Sequence, residues 1–400
     1  MTMERFDVVV VGGGPAGATA SHELAARGLS VLLLDKAGRV KPCGGAVPPQ
    51  LLRDFDVPES LMVARIKSAR IISPKRRFVD IPVGDGFVGM VDRDVFDEWL
   101  RERAVSAGAV RRTGVFQTIE RTDDGEVVIK YTSGRSRHDE TSYVKARYVV
   151  GADGALSAVA RQAISASQEV ERVTAYHEII ESPTRATHPG VDFDPTRCDV
   201  YYRGALSPDF YAWIFPHGKT TSVGTGTFEQ GFALKGAVDD LRKETGLDAT
   251  RTIRKEGAPI PLRPLSRWDD GRNVVLAGDA AGVVAPASGE GIFYAMTGGR
   301  VAADAVYASI STRSPKHLAE ARKHFMSQHG QVFRVLRLMQ HYWYNDEGRR
   351  ERFVAICRDQ DVQRLTFDAY MNKRLVRAKP LAHLKIFLKN VAHLTGFATT

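Results

Sequence analysis

The segment that ends at Asp35 constrains the fold most, because it joins two apolar strands through a glycine-rich turn and a helix. Val8–Val11 is a run of β-branched apolar residues without polar alternation, which is typical of a parallel strand buried on both faces. A second apolar strand, Val31–Leu34, follows the predicted helix. The turn between the first strand and the helix carries three glycines in the spacing GxGxxG: Gly12, Gly14 and Gly17. The segment therefore predicts a βαβ unit.

Each glycine of the turn has its own expected role. Gly12 permits the tight turn, Gly14 lets a pyrophosphate approach the backbone, and Gly17 allows the helix to pack closely on the strand. Pro15 and Ala16 open the helix, where a proline leaves no helical hydrogen bond unmade. Free N–H groups and the positive end of the helix dipole attract phosphate at this point. The predicted cofactor contacts of the turn are Gly12, Gly14, Pro15, Ala16 and Gly17.

The second strand ends in Asp35, which is followed by Lys36. A carboxylate at this point of a βαβ unit is placed to accept a hydrogen bond from a ribose hydroxyl. A GxGxxG turn alone is weak evidence, but here both strands, the turn, the helix and the acidic residue occur in order. The sequence predicts that a dinucleotide binds here, with Asp35 and Lys36 among its contacts. These residues do not distinguish FAD from NAD.

Composition limits the class of protein. The chain has 400 residues, enough for about two to three domains, and no apolar run reaches the roughly 18 residues of a membrane span. Glu4, Arg5 and Asp7 precede the first strand, which is unlike a signal peptide. The three cysteines lack CxxC spacing and the eleven histidines, including His177 and His217, lack HxH or HExxH spacing. We therefore expect a reducing cytoplasm and no metal site, and we assign no role to either histidine.

The net charge of +9 is concentrated at the C-terminal end. Residues 311–400 hold 17 Lys and Arg against 7 Asp and Glu, or +10, and residues 1–310 hold the other 39 and 40, or −1. Pro380–Leu394 places apolar residues on one helical face and lysines off it. Such a basic amphipathic helix suits an anionic membrane surface, and packing against the protein body is the alternative. The sequence contains no basic motif with interleaved aromatic residues, so we expect no nucleic-acid partner.

The nucleotide-binding segments are interrupted by segments of another kind. Thr174–Phe228 alternates aromatic and polar residues, which predicts a separate antiparallel sheet. Ala258–Pro264 predicts a proline-rich return, and a long helix is expected from about Gly289 to Ile310. We therefore expect a substrate domain inserted into the nucleotide domain. The expected division is residues 1–70, 90–170 and 265–310 for the nucleotide domain, 70–90 and 171–264 for the substrate domain, and 311–400 for a basic helical C-terminal segment.

Two later predicted strands end in glycine–aspartate turns, Gly151–Gly154 and Gly278–Gly282. Together with the GxGxxG turn, their order resembles that of FAD-binding flavoprotein monooxygenases and reductases over nearly the whole chain. The resemblance implies an α/β fold, with a Rossmann-type FAD-binding domain, an inserted antiparallel β-sheet substrate domain and a helical C-terminal segment. NAD without FAD is the rival cofactor, but a simple dehydrogenase needs no late Gly-Asp strand. The chain has no second GxGxxG turn that would bind NADPH. This fits a nicotinamide that is held only transiently.

The resemblance also implies roles for residues beyond the first turn. In such proteins the residue matching Asp153 lies between the flavin and nicotinamide sites, and the one matching Asp279 bonds the ribityl chain. Arg93 matches an arginine that packs near FAD. The helix after Gly289 and Gly291 points its N-terminus at the pyrimidine edge of the flavin, where the reduced form is negative. The implied cofactor contacts are Arg93, Asp153, Gly278, Asp279, Gly289, Gly291 and Ile292.

Two further motifs, Cys43–Gly45 and Phe210–Pro216, are similar to those of the geranylgeranyl reductases. Other segments resemble the chlorophyll and bacteriochlorophyll branch of that family: Lys41–Pro49, Phe55–Asp56, Ile72–Pro74, Val79–Ile81, Gly89–Val91 and Gly278–Val283. The resemblance implies an FAD enzyme, fed by NADPH, that saturates a geranylgeranyl chain to phytyl. The chain would be esterified to a pigment or carried as the diphosphate. We expect a cytoplasmic enzyme with peripheral contact to the inner or photosynthetic membrane. A flavin hydroxylase of an aromatic or lipid substrate is the alternative.

Reduction of an isolated alkene needs a hydride on one carbon, a proton on the other and a dry site. Gly44 and Gly45 would let their loop approach the flavin, with Cys43 beside it as a proton relay or as a small packing group. Tyr211 and Trp213 share one face of a predicted strand, where they line an isoprenoid tunnel or belong to the core. The resulting expectation is that Cys43, Tyr211 and Trp213 are catalytic and that Cys43, Gly44 and Gly45 contact the cofactor.

Overall fold

The computed structural model describes residues 3–36, 40–84, 86–123, 125–134, 140–164, 170–363 and 373. The chain forms two units. Unit 1 contains Met1–Lys41, Arg93–Arg172 and Pro259–Gly330, and unit 2 contains Pro42–Asp92, Val173–Ala258 and Gln331–Thr400. Both units are discontinuous in sequence. The three-part division expected from the sequence rests on predicted roles and stays a prediction. The predicted amphipathic helix at residues 380–394 lies outside the described residues.

Strands and helices of both units are interleaved along the chain. The strands are β1 (Arg5–Val11), β2 (Val31–Asp35), β3 (Ala46–Val47), β4 (Met62–Ile66), β5 (Ser68–Ile72), β6 (Phe78–Pro82), β7 (Val88–Val91), β8 (Val110–Arg121), β9 (Val127–Ser133), β10 (Thr141–Gly151), β11 (Arg172–Glu181), β12 (Arg197–Tyr201), β13 (Ala212–His217), β14 (Thr220–Thr227), β15 (Thr252–Pro261) and β16 (Val274–Leu276). The helices are α1 (Pro15–Ala25), α2 (Pro49–Asp54), α3 (Arg93–Ser106), α4 (Ala158–Ala163), α5 (Leu234–Glu244), α6 (Ile292–Thr312), α7 (Glu320–Trp343) and α8 (Glu347–Ile356).

Unit 1 is built on a parallel sheet in which β8, β2, β1, β10 and β16 lie side by side. β1 occupies the middle, and its Val8 pairs with Val31 of β2 and with Tyr148 of β10. Val8 is fully buried, as the unbroken apolar run of this strand requires. The later part of β8, β9 and the first part of β10 add an antiparallel meander. The predicted βαβ unit is confirmed as β1, α1 and β2.

Unit 2 contains a seven-stranded sheet in the order β15–β11–β14–β13–β12–β5–β6 and a three-stranded sheet in the order β3–β7–β4. The predicted antiparallel sheet is confirmed for β11, β14, β13 and β12. β12 then pairs in parallel with β5, which the alternating pattern did not indicate. One face of the larger sheet packs against α5, with Ile180, Ile214, Val223 and Leu241 in the shared core.

Two predicted connections have different outcomes. The prediction of a return at Ala258–Pro264 is wrong for its first part, because β15 continues as a strand through Pro261. β15 is an edge strand of the seven-stranded sheet, and at an edge a proline sacrifices no ladder hydrogen bond. The predicted long helix is confirmed as α6, Ile292–Thr312. None of the described helices is long and apolar enough to cross a membrane.

Candidate functional site

The three glycines of the first turn meet three different surroundings. Gly12 has φ +105°, and a Cβ added to it would lie 2.3 Å from the Ala152 carbonyl oxygen. A Cβ on Gly17 would lie 1.8 Å from the carbonyl oxygen of Gly12, so α1 crosses the turn in direct backbone contact. A Cβ on Gly14 would meet no atom within 4 Å. Gly12 and Gly17 are therefore required by the protein's own packing, whereas Gly14 faces open space that suits a phosphate.

The N-terminus of α1 offers its N–H groups without a competing side chain. Gly14 is the N-cap and supplies no side-chain acceptor, and the first turn holds no acidic residue. Pro15 and Ala16 open the helix and are buried. α6 packs on this point, since a Cβ on Gly299 would lie 2.2 Å from the Ala16 carbonyl oxygen. The contact fixes the direction in which the free N–H groups and the helix dipole point.

Asp35, the last residue of β2, is held by two groups of unit 1. Its Oδ1 accepts a hydrogen bond of 3.0 Å from the Gly13 N–H, and the Arg101 guanidinium lies 3.6 Å from its Oδ2. Arg101 also donates to the Gly13 carbonyl oxygen at 3.1 Å. The sequence did not predict the contact of Arg101 with Asp35, because Arg101 lies on α3, far from β2 along the chain. Lys36, the other residue expected at this point, is exposed.

Asp279 follows β16 and pairs with Lys41 in unit 1. The carboxylate is mostly buried, with 7% of its side chain exposed. Gly278 before it has φ +63°, and a Cβ there would lie 2.6 Å from the Ala16 side chain. Lys41 was missed as an ion-pair partner, since nothing in the local sequence connects it to a residue 238 positions away.

The residues before α6 form the N-terminal end of that helix, and their expected flavin contacts stay predictions. Gly289 has φ +66°, Gly291 is the N-cap of α6 and Ile292 is its first, buried residue. The N-cap lies beside Asp279, because a Cβ on Gly291 would be 3.9 Å from Oδ1 of that residue. Asp279 and the N-terminus of α6 therefore belong to one local arrangement within unit 1.

Asp153 and Arg93 both have partners close in sequence. Asp153 accepts hydrogen bonds from the N–H groups of Ala158 at 2.6 Å and Val159 at 3.2 Å, so it satisfies the start of α4. Burial raises the pKa of Asp153 in spite of these bonds. Arg93 forms a buried bidentate pair with Asp97, at 2.8 and 2.7 Å. The expected flavin contacts of Asp153 and Arg93 stay predictions.

The residues of unit 1 fit a dinucleotide. An uncapped helix N-terminus lies at the end of β1, with open space beside Gly14. Asp35 ends β2 and Asp279 follows β16, so both carboxylates come from the carboxyl ends of parallel strands, where such sheets bind ligands. Among the described residues, no group of three or more His, Cys, Asp or Glu side chains could hold a metal ion.

Unit 2 brings together two motifs that the sequence singled out separately. A Cβ on Gly44 would lie 3.1 Å from the Phe215 ring. A Cβ on Gly45, which has φ +68°, would lie 2.5 Å from Nε2 of His217. The loop Cys43–Gly45 therefore lies against the end of β13. Only glycine permits this approach at position 45, because both its backbone conformation and the imidazole ring exclude a side chain.

Tyr211, Trp213 and Phe215 form what we call the aromatic row. Their positions alternate with Ala212 and Ile214, which belong to the core that packs on α5. Within the row, the ring centroids of Tyr211 and Trp213 are 5.9 Å apart and those of Trp213 and Phe215 are 6.0 Å apart. The row thus lies on the sheet face opposite that core, as the period of two along a strand requires.

His217 continues the aromatic row and was missed by sequence reasoning. Its Nδ1 lies 3.0 Å from the Phe215 carbonyl oxygen, within hydrogen-bond distance. Burial lowers the pKa of His217 to about 4. The imidazole is therefore neutral at physiological pH. No spacing of the eleven histidines could have indicated it, because its surroundings depend on the Cys43–Gly45 loop.

The burial of His217 predicts how stability depends on pH. An unfolded histidine gains a proton near pH 6.5, whereas the folded one stays neutral until about pH 4. Between these values the unfolded state binds more protons, so stability falls as pH falls, by up to about 3 kcal/mol. Above pH 6.5 the residue contributes no slope. In urea titrations from pH 7.5 to 4, His217→Gln should lose less stability on acidification than the wild type. The exposed His341→Gln is the control, and an equal slope for His217→Gln would contradict the prediction.

Comparison with known proteins identifies the family. Residues 76–324 match the family model described as FAD binding domain, and residues 10–51 match an NAD(P)-binding Rossmann-like domain. Over 395 residues the chain is 56% identical to a geranylgeranyl diphosphate reductase from Rhodobacter capsulatus, with 98% of each chain covered. The chain belongs to the geranylgeranyl reductase family. Its similarity to a geranylgeranyl diphosphate reductase from Synechocystis is 34% over 407 residues, with 97% of each chain covered.

Solved structures agree on the fold of this member of the geranylgeranyl reductase family. A geranylgeranyl bacteriochlorophyll reductase-like protein from Thermoplasma acidophilum has a TM-score of 0.80 at 23% identity, covering 95% of this chain and all of that one. A flavin-dependent brominase has a TM-score of 0.75 at 18% identity, covering 98% of this chain and all of the brominase. At these identities the likeness shows the fold alone. The expected FAD-binding Rossmann-type fold and FAD as cofactor, with a nicotinamide reductant, are confirmed.

Proposed function

We propose that the protein is an FAD-dependent, NADPH-fed reductase that saturates double bonds of a geranylgeranyl chain to give phytyl. The observation that carries the proposal is the 56% identity, from end to end, to a geranylgeranyl diphosphate reductase. The substrate is geranylgeranyl diphosphate or the same chain esterified to bacteriochlorophyll or chlorophyll. An alkene without a neighbouring activating group is a poor hydride acceptor, so its reduction needs fixed geometry and exclusion of water.

The proposed roles differ between the two units. In unit 1, Gly14, Asp35 and Asp279 would hold FAD through its pyrophosphate, ribose and ribityl groups. Bound FAD would supply hydride from NADPH to one carbon of the alkene while the other carbon receives a proton. In unit 2, the aromatic row would bind the isoprenoid chain through Tyr211 and Trp213. Cys43 holds a thiol beside Gly44 and Gly45, and we propose that it relays the proton.

A flavin hydroxylase remains the competing function, because it shares the fold. The likeness to the brominase shows the fold alone and favours neither function. The two functions differ in their need for oxygen. A hydroxylase inserts an oxygen atom and must stop without O₂, whereas a reductase needs only FAD, NADPH and a proton.

The decisive experiment is therefore anaerobic. Purified protein loaded with FAD is incubated with NADPH and either geranylgeranyl diphosphate or geranylgeranyl-bacteriochlorophyll, and the chain mass is followed. We expect the mass to rise in two-hydrogen steps at the same rate with and without oxygen. Protein without FAD is the control. No mass change on either substrate, in a preparation whose FAD is reduced by NADPH, would reject the proposal.

We also propose that the predicted basic amphipathic helix at Pro380–Leu394 makes peripheral contact with an anionic membrane. Its apolar face and its lysines, Lys385 and Lys389, support this, because a basic amphipathic helix suits an anionic lipid surface. The experiment compares the full chain with a chain ending at Lys379, in flotation with anionic and zwitterionic vesicles. Equal flotation of both chains would reject the proposal.

A further inference from the structure

A line of hydrogen-bonded groups crosses unit 2 and ends at Trp213. The Trp213 indole N–H donates to Ser222 Oγ at 3.0 Å, and Nδ1 of His177 lies 2.8 Å from the same oxygen. Nε2 of His177 lies 3.0 Å from a carboxylate oxygen of Glu256, whose other oxygen pairs with Arg254 at 3.1 Å. Four neighbouring strands, β13, β14, β11 and β15, supply these residues.

The chemistry of the groups fixes the direction of the hydrogen bonds at the two ends of this line. Burial opposes ionisation of Glu256, but the hydrogen bond with His177 and the charge of Arg254 outweigh it and lower the pKa of Glu256. The carboxylate therefore only accepts, and Nε2 of His177 donates to it. The Ser222 hydroxyl oxygen accepts from the indole N–H and lies within hydrogen-bond distance of Nδ1 of His177. Both nitrogens of a buried imidazole are satisfied in this arrangement.

The backbone makes room for the indole at one glycine. Gly224 of β14 pairs with His177 on one side and with Trp213 on the other, so the three residues lie side by side on one sheet face. A Cβ on Gly224 would lie 2.3 Å from the Trp213 ring and 2.6 Å from the His177 Cβ. The ring therefore lies across the glycine towards His177. Ser222, two residues earlier on the same face, meets its N–H edge.

We propose that Ser222, His177 and Glu256 are positioning residues that hold the Trp213 indole in one orientation for the isoprenoid chain. The proposal rests on the proposed function. An indole N–H turned towards a hydrocarbon chain would be buried without an acceptor, which is unfavourable. The bond to Ser222 satisfies it and leaves the ring face apolar. A fixed ring aligns the alkene, and small errors of alignment slow reactions strongly.

The orientation of the indole can be tested without any substrate. In a ¹H–¹⁵N spectrum of protein labelled at its four tryptophans, Trp213→Phe assigns the Trp213 indole signal. We expect Ser222→Ala to shift that signal and to speed its exchange with solvent, while the other three signals stay in place. The control is Thr225→Val, which removes an equally buried hydroxyl of β14 that bonds the Leu206 carbonyl oxygen on the other face. An unmoved Trp213 signal in Ser222→Ala would overturn the proposal.

Kinetics then separate positioning from mere folding. We expect Ser222→Ala and Glu256→Ala to lower kcat roughly tenfold, with a smaller change in KM and with more partly reduced chains in the product. Glu256→Gln, which keeps an acceptor for the His177 N–H, should recover most of the rate. Equal rates for Ser222→Ala and Thr225→Val would overturn the proposal. If the wild type reduces no prenyl substrate, the proposed function fails, and the indole spectrum still decides whether Ser222 orients Trp213.

Discussion

Gly17→Ala should strongly destabilise the folded protein. The added methyl group would sit 1.8 Å from the carbonyl oxygen of Gly12. That oxygen is backbone and is fixed by the turn and by β1, so neither partner can move without separating α1 from the sheet. We expect the free energy of unfolding to fall by at least about 3 kcal/mol, at the upper end for overpacking. Urea unfolding of the FAD-free protein measures it.

Gly14→Ala is the matched variant, because the same atom added three residues earlier meets nothing within 4 Å. Its backbone, with φ −75° and ψ −176°, is open to alanine. The FAD-free variant should therefore unfold within about 1 kcal/mol of the wild type. FAD affinity should nevertheless fall by roughly tenfold or more, since the methyl group would occupy the approach to the helix N-terminus. Wild-type FAD affinity in Gly14→Ala would show that the pyrophosphate lies elsewhere.

The parts of the fold that sequence predicted are those encoded over short distances. β1, the glycine turn and β2 follow from an apolar run, a fixed glycine spacing and a terminal acid. The aromatic row follows from alternation, which puts Tyr211 and Trp213 on one face of any strand. α6 follows from a long apolar segment after Gly289 and Gly291. None of these inferences needs a distant residue.

The parts that sequence missed depend on residues brought together by the fold. Arg101 reaches Asp35 from α3, and Lys41 pairs with Asp279 across 238 positions. The parallel pairing of β12 with β5 is of the same kind, since alternation identifies a strand and not its partner. His217 also looked ordinary in sequence. Its low pKa arises from burial in the folded protein.

The second large loss of stability is expected on replacing Arg350, whose guanidinium is a buried cation. Only 1% of its side chain is exposed, and burial lowers its pKa. The guanidinium donates to the carbonyl oxygens of Tyr344 at 2.7 Å, Ser207 at 2.7 Å and Pro208 at 2.5 Å. It thereby joins α8 to the segment that leads into the aromatic row, because the Ser207 hydroxyl accepts from the Phe210 N–H.

Arg350→Met should lower the free energy of unfolding by about 3 kcal/mol or more, because three buried carbonyl oxygens lose a charged donor at once. Arg350→Lys should recover little, since one ammonium cannot reproduce the planar fork of a guanidinium. Arg349→Met, at the preceding position, is the control. That arginine makes one bond of 3.3 Å to a carbonyl oxygen and stacks 4.6 Å from the Tyr342 ring, so its loss should cost under about 1 kcal/mol. Urea unfolding measures all three variants. Their midpoints are compared after checking that the slope of the unfolding free energy against urea concentration is the same. If Arg350→Met unfolded like Arg349→Met, the carbonyl oxygens would have to find other donors, and Arg350 would not be what holds the start of the aromatic row.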